Sequence, residues 1–195
     1  MGLWTSLLGR SRPKAPDLDA LFLVPSAAIT LQTAAGFLPT GTGAVCYRAA
    51  SGAAFAQAQA EIVALIDDDP QAPSVATTTD PYGFTWLQVT GSPDDVAGLC
   101  TDLHAVNSTV EAQGFGGGLL CTLVPFRDAQ GRTFGLVYLY KQGTFYPFAP
   151  VPGLPGGGHQ RDNLLELTVR DGLQAELPFE KDLQRWLALW DAPGL

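Results

Sequence analysis

The feature that most limits what this chain can fold into lies between His104 and Pro150. A helical pattern ends in the run Gly114-Phe115-Gly116-Gly117-Gly118. Two strand-like runs follow, Leu119–Arg127 and 132–141, joined by the turn Asp128-Ala129-Gln130-Gly131. Side chains alternate along a strand, so Phe134, Leu136, Tyr138 and Tyr140 share one face of the second run while Val137 and Leu139 share the other. A strand that is apolar on both faces has to be covered on both, by helices or by a partner. Phe145, Tyr146 and Phe148 come next, in a segment bounded by prolines. Aromatics placed beyond a strand in this way suit contact better than core, so these three are expected to bind a partner.

Composition narrows the class. At 46% hydrophobic and 15% charged, 195 residues carry ample material for a core, and disorder of the whole chain is excluded. A net charge of −8 sets the protein against polyanions, and no basic aromatic stripe offsets it, so nucleic acid is not expected as a partner. No apolar run comes near the roughly 20 residues that span a bilayer. The apolar stretch 4–8 is too short for a signal peptide and precedes its cations, so a cytosolic location is expected. Cys46, Cys100 and Cys121 are few and lie within apolar runs, the pattern of buried thiols.

The order of elements reads as α+β: an antiparallel sheet with packed helices. Residues 1–16 form a basic, amphipathic arm and 17–195 a single domain. Asp17 can cap a helix that Pro25 interrupts, and Ser26 a second helix ending at Gly36. A strand is expected over 44–48, a helix over 51–67, a surface loop over 67–79 and a strand over 84–89, with Phe84 and Trp86 facing away from Leu87 and Val89. Ser92-Pro93 opens a helix running to Gln113. A Pro/Gly loop covers 151–159, and helices are expected over 161–174 and 180–190.

No catalytic signature accompanies this layout. The glycines at 114–118 follow a helix and open a strand, the reverse of a phosphate-binding loop, and read as a helix stop. Cys100, His104 and Ser108 recur every four residues and so share a helical face. That face is the candidate for a metal site or cryptic enzyme, but no CxxC, HExxH or GxSxG supports it, and packed cysteines beside a hydrogen-bonded His104 are favoured. Asp67, Asp68 and Asp69 lack the alternating oxygens of a calcium loop. The arm offers the better hint. Leu3, Trp4, Leu7 and Leu8 can lie on one face, with Arg10, Arg12 and Lys14 just beyond, a composition suited to weak contact with an anionic membrane. Docking of the arm on protein is the alternative.

The segments LDALFLVPSAAITLQ, PTGTGAVCYRA, YGFTWLQV, DLHAVNSTVEAQGFG, LVYLYKQGTFYPFAP, RDNLLEL and RWLALWDAP together resemble the PspA-associated protein B (PspAB) family of actinobacteria and archaea. The resemblance implies association with PspA, a coiled-coil membrane-remodelling factor of the envelope-stress or phage-shock response, and possible company with an HtpX-like membrane protease. It implies a non-enzymatic adaptor without catalytic residues, metal or cofactor. The order helix, two strands, helix also resembles YbjN-like and type III secretion chaperone-like folds, as an analogy of layout.

Overall fold

The computed structural model describes residues 18–48, 57, 60, 61, 63, 64, 75–153 and 158–195. The arm with Leu3, Trp4, Leu7, Leu8, Arg10, Arg12 and Lys14, the cap expected at Asp17 and the acids Asp67–Asp69 lie outside the described residues. So does most of the helix expected over 51–67, of which the described residues are helical.

Among the described residues, seven strands make one antiparallel sheet. They are β1 (Leu38–Pro39), β2 (Thr42–Arg48), β3 (Val75–Thr79), β4 (Phe84–Thr90), β5 (Leu119–Arg127), β6 (Thr133–Leu139) and β7 (Thr144–Phe148). The order across the sheet is β3-β4-β2-β5-β6-β7, with β1 paired to β5. The β5–β6 hairpin forms as its turn residues require. Gly131 takes φ 82°, and the Asp128 carboxylate accepts from the Gln130 and Arg132 amides. The strand β3 corrects the loop expected there. Its Val-Ala-Thr-Thr-Thr run is β-branched, which favours an edge strand against β4.

Among the described residues, three continuous helices pack on one face: α1 (Val24–Ala35), α2 (Val96–Val110) and α3 (Asn163–Leu173). A 3-10 turn, Leu18–Leu23, runs directly into α1, and Pro25 sits in the first helical turn where its missing N–H costs nothing. Ser26 therefore caps no helix; its hydroxyl donates to Glu176 instead. Leu18–Ala35 is also long and apolar enough, by length and composition alone, to cross a membrane, which corrects the expectation that no run comes near that length. Here Leu21, Val24, Ala27, Ala28 and Leu31 are buried in the core. In α2 the cap is Asp95, whose carboxylate accepts from Gly98 N at 2.8 Å; Ser92-Pro93-Asp94 is a turn that delivers it, so the helix starts later than expected. It ends through a wider turn at Gly114, φ 84°, as the glycine run predicts. Helix α2 lies tight on β2, where a Cβ on Gly43 would stand 2.6 Å from Leu103 Cδ1.

Among the described residues, the other face is covered without a helix. The helix expected over 180–190 is a single 3-10 turn, Leu183–Arg185, followed by an irregular strap to Leu195. The physical reason lies in three hydrogen bonds. Arg161 Nη1 donates to the Trp186 carbonyl, Tyr146 Oη donates to the Leu187 carbonyl at 3.0 Å, and the Trp186 indole donates to the Glu180 carbonyl at 3.0 Å. Side chains take up carbonyls that a helix would use for its own ladder. The strap places Trp186 against Tyr146 and Trp190 against Phe148.

The sheet is thus apolar on both faces, as the β6 pattern predicts. Phe134, Leu136, Tyr138 and Tyr140 join the helix-side core; Val137 and Leu139 join the strap-side core. Trp86 parts from Leu87 and Val89 in the same way.

One expectation is overturned here. Phe145, Tyr146 and Phe148 are buried residues of β7, at most 1% exposed, and present no surface to a partner. The prolines that bound them misled the reading. Phe145 makes its backbone bonds outward, to Pro178 O and Glu180 N, so Pro147, two residues on, also points outward and removes no bond to β6.

Candidate functional site

Helix α3 forms because Asp162 caps it, accepting from Leu165 N at 3.0 Å, and because Leu165, Val169 and Leu173 fall on one buried stripe. Its neighbours Leu164 and Leu167 exceed that stripe. They stand 78% and 38% exposed, where a simple surface helix would carry polar residues.

A groove lies on each side of this helix. Between α3 and α1, Leu31, Phe37, Leu165, Val169 and Leu173 floor a cavity of about 390 Å³, with Ala34, Ala35, Thr168 and Gly172 at its walls. Glu176 ties the two helices, accepting from Thr30 Oγ1 at 2.6 Å and Ser26 Oγ at 3.1 Å. Arg132 and Asp162 also line the groove. The Arg132 guanidinium sits 5.5 Å from the Phe37 ring centroid and its Nε donates to Asp128 Oδ2 at 2.7 Å. Burial works against the charge on Asp128, but the hydrogen bonds from Arg132 outweigh it and hold that carboxyl below the usual range. On the other side of α3, Arg161, Glu166, Leu167, Leu183 and Trp186 line a second cavity of about 330 Å³. Its wall is rigid. The buried Glu166 carboxylate accepts from Ala149 N at 2.9 Å and from Arg161 Nε at 2.8 Å. Leu183 and Leu187, each 60% exposed, extend the apolar surface onto the strap.

This arrangement suits binding. The grooves have the size and apolar lining of ligand or side-chain pockets. Neither lining contains a cysteine or histidine. The surface was missed in the sequence, although RDNLLEL carries its signal: three leucines where a stripe needs fewer.

The Cys100/His104 face divides. Cys100 is fully buried and its thiol is pushed up to about 12 by burial, so it is protonated near neutral pH. His104 lies nearer the surface. Its Nε2 is 3.3 Å from Asp19 Oδ1, its Nδ1 is 3.4 Å from Ser108 Oγ, and its ring packs on Phe22. Among the described residues, no three His, Cys, Asp or Glu side chains gather to hold a metal.

The chain is thus an α+β protein: an antiparallel sheet with helices on one face and a strap on the other, and an amphipathic helix, α3, between two grooves. The family model of PspA associated protein B matches residues 1–194, and the chain belongs to that family. No curated protein and no solved structure matches it; the YbjN-like and secretion-chaperone-like layout is not confirmed, and three strands, not two, stand between α2 and α3.

Proposed function

We propose that this protein is a non-enzymatic cytosolic adaptor of the PspA stress system and that it engages its partner through α3. Membership of the PspA-associated family carries the reading. The surface is assigned from the exposed leucines: Leu164, Leu167 and Leu183 line the two grooves beside α3, and Leu187 is exposed on the strap. Apolar anchors beside pockets are what a partner helix would fill.

The test is binding of the full chain to a PspA-like protein from the same genome, with an HtpX-like protease as the comparison target. Leu164→Glu and Leu167→Glu together should weaken PspA binding at least tenfold while leaving the melting temperature within about 2 °C, since exposed positions contribute little to stability. Undiminished binding by the double variant would remove α3 as the contact surface. Absence of PspA binding by the unaltered chain would remove the adaptor reading.

A further inference from the structure

Cys46 on β2 and Cys121 on β5 are direct cross-strand partners, and both thiols are free. Both side chains belong to the strap-side core, 3% and 6% exposed, side by side on one face of the sheet. Directly opposed residues of an antiparallel ladder hold their Cα atoms about 4.5–5.5 Å apart. A disulfide needs about 4.4–6.8 Å, so the bond is reachable without moving either strand far. The register also shifts between Cys46 and Tyr47, an irregularity that loosens the ladder beside the pair. The third thiol, Cys100, belongs to the helix-side core on α2.

We propose that Cys46 and Cys121 are a thiol-oxidation site, a reversible dithiol–disulfide pair closed by peroxide-class oxidants when the C-terminal strap lifts. The chemistry balances in two steps. One thiolate attacks a peroxide oxygen; the O–O bond breaks, water leaves after protonation, and a sulfenic acid remains. The second thiol attacks that sulfur; the S–S bond forms, the S–O bond breaks and a second water leaves. Two electrons pass from the sulfurs to the peroxide, and a dithiol reductant reverses the change.

The closed fold protects the pair. The Cys121 thiol beside it, together with burial, raises the Cys46 thiol far above the ordinary thiol range, and the scarce thiolate makes it unreactive. Tyr146 on β7 ties the strap down: its hydroxyl donates to Leu187 O, and its ring belongs to the same strap-side core as both thiols. Strap opening therefore uncovers the core that holds the pair. Oxidation would then fasten β2 to β5 while that face is uncovered.

The experiment treats the full chain with hydrogen peroxide, blocks remaining thiols, and maps disulfides by mass spectrometry without reduction. A Cys46–Cys121 link, with the loss of two hydrogens and recovery by dithiothreitol, is expected in the unaltered chain and in Cys100→Ser. It should vanish in Cys46→Ser and in Cys121→Ser. Tyr146→Phe, which removes only the hydroxyl tie to the strap, should form the link several-fold faster. Mapping in the unaltered chain keeps the test valid if a cysteine variant fails to fold. Free Cys46 and Cys121 after prolonged treatment, or a link through Cys100, would overturn the site. An unchanged rate in Tyr146→Phe would overturn the role of the strap.

Discussion

The two faces of the sheet are both dry, yet they are covered in different ways. On the helix side, Phe126 and Phe134 stack at 5.3 Å, Phe37 meets Phe134 edge-on at 5.1 Å, and helices cover the layer. On the strap side the sheet contributes small residues, Ala44, Cys46 and Cys121, beside large ones, Trp86, Tyr146 and Phe148, and Trp186 and Trp190 arrive from an irregular segment. A helix brings its backbone already hydrogen-bonded, so only its side chains need a site. An irregular cover must have its carbonyls satisfied from outside, and here Arg161 and Tyr146 do so. The helix face thus rests on packing, and the strap face on packing plus a few specific bonds.

Three measurements can break or sharpen that contrast. The largest effect is expected from Phe145→Ala. Its ring lies in the helix-side core 5.0 Å from Tyr138, and truncating a buried aromatic costs about 3–5 kcal/mol. Chemical denaturation should show a cooperative loss of that size; a loss below about 1 kcal/mol would mean that β7 is not part of the core. Next comes Trp186→Ala, expected at about 3 kcal/mol because an irregular segment can settle partly into the gap. Its sharper signature is local. Amide exchange should rise first across 183–195, ahead of β5 and β6. Uniform acceleration over the whole sheet would erase the distinction between the faces.

The smallest effect belongs to Asp128→Asn in the β5–β6 turn. The folded pKa of Asp128 is depressed, so its contribution is fully present above the unfolded value near pH 4 and is lost as pH falls through the folded value. The gap in urea midpoint between the unaltered chain and the variant should therefore be constant at neutral pH and shrink below about pH 4. A gap that persists unchanged at pH 2 would assign the effect to turn geometry instead of charge.

Much of the helix face was legible in the sequence because its signals are local. The alternation of β6 set which residues share a side, the Gly131 turn set the hairpin, and Gly36 and Gly114 set two helix ends. The strap face was not legible. The spacing Leu183, Trp186, Leu187, Trp190 reads as helical, and only Tyr146 and Arg161, distant in sequence, show why the chain does otherwise. The same gap misplaced Phe145, Tyr146 and Phe148. Prolines near a strand usually mean surface, and the backbone direction of Pro147 depends on which neighbour Phe145 bonds. The exposed leucines of α3 were visible as letters, but their excess over one stripe needs the helix orientation that the fold supplies.

The edge at β7 has a consequence for self-association. Outward-facing backbone groups on a terminal strand normally offer a template on which a second chain can add a strand. Here that template is occupied. Residues 178–180 bond Phe145, Pro147 has no N–H to offer, and Ala149 N and O are taken by Glu166 and Asp162. At the opposite end, no strand among the described residues pairs with the outer side of β3. Strand-by-strand growth of this sheet into a fibril is therefore polar: it is blocked at the aromatic end and has to begin, where it begins at all, at the threonine-rich one.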